Sequence, residues 1–132
     1  MVVAEQWGAV QALNQGRRLL GVFPPTMTVR CYCVDGLMVD SGLQSFARQT
    51  LEWARLQGVD RAVLTHHHED HSGGVPRLQQ GGLSVLASSA TGSRLLSGFA
   101  THFYQRMVWG RAPRARVDVL PSVVETNQYR FQ

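Results

Sequence analysis

An α/β fold is predicted, with a sheet to be covered by helices, and three observations predict it. Short β-rich runs alternate along the 132 residues with stretches of helical periodicity. An Asp35-Gly36 pair between two apolar runs marks a tight hairpin. Brief apolar runs such as Arg61-Ala62-Val63-Leu64 are too short for helices and suit buried strands.

The elements follow in order. A first strand is weakly marked, near Val10 to Leu13 or Arg18 to Val22, and Pro24-Pro25 then breaks the chain. The β-rich run from Thr26 to Val34 leads into a strand, turn and strand over about Thr28 to Asp40. Ser41-Gly42 closes it. Phe46 to Gln57 reads as a helix, with Ala47, Leu51 and Ala54 at helical spacing and Gly58 as the stop. The strand at 61–64 ends in a histidine-rich loop, at the carboxyl end where open α/β sheets place ligands. Gly73-Gly74 frees the backbone before a short helix at Val75 to Leu78. Leu83 to Ala87 is the next strand. Ser88 or Ser89 caps a helix to Leu96, and Phe99, Phe103 and Met107 predict another over Phe99 to Trp109. Val117 to Phe131 reads as irregular or β structure.

Composition bounds the rest. Residues 1–132 make a single domain at most; 44% hydrophobic residues allow a core, and 17% charged residues argue against disorder. The formal charge is +4, and all thirteen basic residues are Arg, so an anionic substrate is weakly favoured. Cys31 and Cys33 fall on one face of a strand, about 6.6 Å apart, and read as reduced, buried thiols. The N-terminus lacks the basic and apolar regions of a signal peptide, and no stretch approaches the ~20 apolar residues of a membrane span. A cytoplasmic protein with no membrane partner is the expectation.

The chemistry lies in Thr65-His66-His67-His68-Glu69-Asp70-His71. His66, His68, Asp70 and His71 are four donors within six positions, a density with no use in packing. In extended chain His66 and His68 point the same way and can share one metal. A turn then lets Asp70 and His71 face a second. Imidazole and carboxylate suit Zn²⁺, with Fe or Mn as alternatives. A zincin helix would need histidine at position 72, where Ser72 stands, and no second Cys or His pair exists for a zinc finger.

Leu64 to Gly74 resembles the His-x-His-x-Asp-His signature of the metallo-β-lactamase superfamily, in its glyoxalase II-like, general metallohydrolase branch. Val34 to Gly42 resembles that family's hairpin and Asp-Thr-Gly-like turn, so the likeness covers about Met27 to Pro76. It implies the N-terminal half of an αββα sandwich, a mixed sheet flanked by helices. It implies two Zn²⁺ per complete site, with His66 and His68 on the first and Asp70 and His71 on the second. Asp70 would also orient the attacking water as the catalytic carboxylate, and Asp40 would support the loop from behind. His67 and Glu69 occupy variable positions, as loop polarity or substrate-side contacts. The implied activity is attack of metal-bound hydroxide on a small-molecule ester, thioester, lactone or amide.

The family's second ligand block, a Gly-His, a bridging aspartate and a last histidine, is not in this sequence. After His71 come only His102, read as a helix-face residue, and the acids Asp118 and Glu125. The expectations are a truncated metallohydrolase inactive on its own, a site completed by an oligomer or second chain, or a non-catalytic metal-binding remnant. A nuclease-type phosphodiesterase is the rival. Arg106, Arg111, Arg114 and Arg116 beside Tyr104 and Trp109 could bind nucleic acid, although the net charge is low for that role. Phe103 and Trp109 could instead line an acyl pocket.

Overall fold

The structure, a computed structural model, describes residues 1–25 and 27–132. Seven strands form one sheet in sequence order. β1 (Val2–Trp7), β2 (Val10–Gln15), β3 (Val29–Val34) and β4 (Leu37–Val39) pair antiparallel, each with the next. β5 (Arg61–Val63), β6 (Ser84–Ala87) and β7 (Asp118–Val119) continue the sheet in parallel from β4. The mixed α/β class is as predicted. Parallel strands need crossovers, and the helices supply them. α1 (Ala47–Leu56) follows β4, α3 (Val75–Gln80) follows β5, and α4 (Ser89–Ser97) follows β6.

The predicted local signals hold where a backbone conformation demands a residue type. Asp35 and Gly36 have φ of 47° and 80°, the doubly positive pair of a type I′ hairpin turn. Gly58, at φ 68°, ends α1, with its N–H on Arg55 O and the Val59 N–H on Ala54 O. Ser88 caps α4 by accepting from the Thr91 N–H at 3.2 Å.

Of the two places offered for an early strand, the first is borne out as Val10–Gln15, whereas Arg18 to Val22 holds only a 3-10 turn at Leu19–Gly21. β1 pairs along the whole of β2 and had no clear signal in the sequence. The last helix, α5, spans only Phe103–Val108. Gly98, at φ 83°, ends α4, and Phe99 drops from there onto the main core instead of starting a new helix. His102 is therefore not a helix-face residue. It precedes the first turn of α5 and closes a capping box with Gln105. Thr26, where the β-rich run begins, lies outside the described residues. The C-terminal stretch forms β8 (Val124–Glu125) and β9 (Arg130–Phe131), a small antiparallel pair.

The core gathers Leu13, Met38, Leu51, Leu78, Val85 and Leu95 between the sheet and its helices. Cys31 and Cys33 are free and buried in it, and burial pushes both thiols up. One buried polar side chain links the sheet to the functional end. Gln15 donates to Thr50 Oγ1 at 2.7 Å and accepts from the Leu43 N–H at 2.9 Å. A Cβ on Gly42 would meet that amide at 2.5 Å, so glycine is required where the chain leaves β4.

Candidate metal centre

The site forms where two backbone segments dock beyond the carboxyl ends of β4 and β5. The Ser41 N–H donates to His71 O at 2.7 Å, and Gly42 bridges to Ser72. The Gly74 N–H returns to Gly42 O at 3.1 Å. No side chain fits between the segments, because a Cβ on Gly74 would stand 2.3 Å from Ser41 O. Both halves of the sequence motif thus belong to one backbone joint. Ser72 braces it from within, donating to His67 O and His68 O at 2.7 and 2.9 Å. The four residues Glu69–Ser72 make the single turn α2.

Asp40 is the organising group. It is 4% exposed and sits at φ 61°, a left-handed conformation that a short polar residue tolerates best. Its Oδ1 accepts the Thr65 N–H at 2.8 Å and the Thr65 hydroxyl at 2.9 Å. Its Oδ2 lies 2.7 Å from His71 Nδ1. A carboxylate can only accept, so His71 carries a proton on Nδ1 and turns Nε2 outward. The same logic reaches His66. The Thr65 hydroxyl gives its proton to Asp40, so its oxygen is free to accept from His66 Nδ1 at 3.0 Å. His66 then also presents Nε2. One buried carboxylate fixes the tautomers of two histidines.

The donors of His66, Asp70 and His71 lie within 4.8 Å of one another. Two imidazole nitrogens and a carboxylate oxygen at that spacing fit a zinc or iron ion. Their protonation suits them unequally. Burial, then the neighbouring His71 and His68, hold His66 below its usual pKa, so its lone pair is available at neutral pH. Burial would raise Asp70, but hydrogen bonding to His71 outweighs it and keeps the carboxylate ionised. His71 is pushed up to about 10, first by its bond to Asp40 and then by Asp70 Oδ2, 3.3 Å from Nε2. That Nε2 proton must leave before a metal can bind there.

The grouping differs from the one expected. His66 sits with Asp70 and His71, and His68 lies outside that cluster, exposed, with its ring edge-on to His66 at 4.9 Å. The helical turn at 69–72 brings Asp70 and His71 back beneath His66. Glu69 does not face a substrate: it is fully buried, and neither carboxylate oxygen has a partner among the described residues. His67 packs edge-on against Phe99, ring centres 4.9 Å apart, which ties the loop to the chain after α4. Sequence reasoning passed over Thr65 and Ser72. The signal for Thr65 was a hydroxyl directly before the first histidine. Phe103 is exposed, and a cleft of about 420 Å³ lies between α4 and β7, lined by none of the metal-loop side chains.

The chain's sequence matches the profile of the metallo-beta-lactamase superfamily over residues 28–129. None of the curated proteins compared with it is detectably similar in sequence. Solved structures share its fold. The metallo-beta-lactamase FIM-1 from Pseudomonas aeruginosa, in its mono-zinc form, is 20% identical with a TM-score of 0.65, over 96% of this chain and 55% of that one. A Cronobacter sakazakii metallo-beta-lactamase with a HARLDQ motif is 21% identical at 0.65, over 94% and 48%. A flavo di-iron protein mutant from Thermotoga maritima is 14% identical at 0.66, over 98% and 36%. This chain therefore spans about half the length of the first two and about a third of the last.

Proposed function

The chain belongs to the metallo-beta-lactamase superfamily, and on that premise we propose that it serves metal-dependent hydrolysis of a small-molecule ester, thioester, lactone or amide. The observation that carries the proposal is the convergence of His66, Asp70 and His71 within 4.8 Å, with Asp40 setting the histidine tautomers. His66 and His71 would hold a metal through Nε2 and Asp70 through a carboxylate oxygen. His68, beside His66, is the nearest further donor. Zinc bound there would acidify a water toward a pKa of about 7.

The protein's own part is positional and electrostatic. Asp40 holds the Nδ1 proton of His71 and so keeps Nε2 directed outward. Asp70 is held below the usual carboxylate range by His71, whose Nε2 lies 3.3 Å from its Oδ2, and is ionised at neutral pH, which suits it to ligate a metal and to orient a water as hydrogen-bond acceptor. The donor set accommodates zinc and iron alike, in line with the mono-zinc and di-iron proteins that share the fold. Donors from another segment or a second copy would complete a two-metal site.

Elemental analysis of the purified protein, paired with its mass in solution, tests this reading. About two metals per chain in a dimer, with turnover of ester or thioester substrates, is the supporting result. A metal-free monomer that gains no hydrolase activity on added zinc sinks it. Hydrolysis confined to phosphodiesters replaces it with the nuclease-type alternative.

A further inference from the structure

Two segments carry the whole positive excess of the chain. Residues 16–28 and 99–116 contain Arg17, Arg18, Arg106, Arg111, Arg114 and Arg116 and no Asp or Glu. The remaining residues hold seven arginines against nine acids. The fold joins the two segments, since Arg17 Nη1 donates to Met107 O at 2.6 Å. It also sets them beside the metal loop. The Arg111 N–H donates to Gln44 Oε1 at 3.3 Å, and the backbone of Gln44 lies against Gly73.

The same segments expose their large apolar side chains. Leu20, Val22 and Phe103 are 81%, 77% and 78% exposed, and Phe23, Tyr104 and Met107 are also open to solvent. Phe103 and Met107 are one turn apart on α5, a helix that buries none of its residues. Exposed apolar groups concentrated in this way mark an interaction surface. The chemistry selects the occupant. Leu20, Val22 and Met107 have no flat face on which a base could stack, which disfavours nucleic acid. Aliphatic and aromatic side chains interleaved with arginines match the boundary between anionic headgroups and acyl chains.

We propose that this joined surface docks the protein peripherally on an anionic lipid bilayer, with the metal loop at its margin. The inference is independent of the hydrolase reading. Among the described residues no helix is long and apolar enough to cross a membrane, and the expectation of no membrane partner rested on the lack of a span in the sequence. Peripheral binding needs none.

Flotation of the purified chain with phosphatidylcholine vesicles, with and without phosphatidylserine, tests the proposal. Binding is expected only with phosphatidylserine and should weaken as salt rises. Replacing Arg18→Glu together with Arg111→Glu should weaken it by more than about tenfold, since each arginine near such a surface contributes about fivefold. Phe103→Ser with Met107→Ser should remove the binding that survives high salt. All four side chains are exposed, and an unchanged circular dichroism spectrum confirms that the variants fold. No flotation at low salt overturns the proposal, as does equal binding by all variants. Capture of single-stranded RNA or DNA in place of vesicles also overturns it and assigns the surface to nucleic acid.

Discussion

The metal loop and the basic rim beside it meet along Gln44 and are built in opposite ways. In the loop, Asp40, Thr65, Ser72 and His71 bond to one another or to nearby backbone, and glycines occupy the contacts where no side chain fits. On the rim, α5 buries none of its residues and presents Phe103, Tyr104 and Met107 to solvent. The contrast teaches where a substitution propagates. A change in the loop moves several donors together, because they share one carboxylate. A change on the rim stays local.

The largest effect is expected at Asp40. Asp40→Ala leaves the Thr65 N–H unsatisfied and frees both histidine rings. Zinc affinity should fall about 10–100-fold and stability by about 3 kcal/mol, measured by zinc titration and denaturant unfolding. Unchanged affinity would break the comparison, because the loop would then not depend on its shared anchor. Gly74→Ala comes next. Its methyl group would meet Ser41 O, and opening the backbone joint should cost about 1–3 kcal/mol and weaken zinc binding as well.

The third prediction concerns pH. In the metal-free chain, the hydrogen bonds that His71 donates to Asp40 and Asp70 raise its pKa from 6.5 to about 10. A raised pKa gives stability that is fully present below about pH 6.5 and lost as pH rises through 10. The melting temperature of metal-free protein should therefore fall between neutral pH and pH 10, and Asp40→Asn should flatten that fall. Zinc displaces the same proton, so its affinity should rise with pH, by up to about tenfold per unit. The smallest effect belongs to the rim. Phe103→Ser and Met107→Ser should each change stability by no more than about 0.5 kcal/mol and leave metal content unchanged. A larger loss would mean that α5 is packed, and the contrast would fail.

The same difference explains what the sequence could tell. The loop was legible because its rules are local. Closely spaced histidines and an aspartate announce a metal, Asp35-Gly36 announces a hairpin, and Gly58 announces a helix end. The rim was not, because Phe99, Phe103 and Met107 have helical spacing although Phe99 packs, partly buried, against the core. β1 was hidden because it is an edge strand with Val2, Val3 and Ala4 in succession, so no alternation marks it. Within the site, spacing singled out His66, His68, Asp70 and His71 but not which of them converge. Whether His68 or Asp70 lies nearer His66 depends on the turn at 69–72, which is held by Ser72 and by contacts with residues about thirty positions upstream. The burial of Glu69 was likewise invisible, since it depends on which face of that turn meets the protein.

The central claim is that Asp40 fixes His66 and His71 so that both offer Nε2 to a metal. Nitrogen-15 spectra of the histidine side chains, recorded on the metal-free chain and again after adding zinc, test it directly. The predicted result is that zinc shifts Nε2 of His66 and His71 while both keep a proton on Nδ1, and that His102 does not respond. Binding through Nδ1 of either ring, or spectra that zinc leaves unchanged, would contradict it.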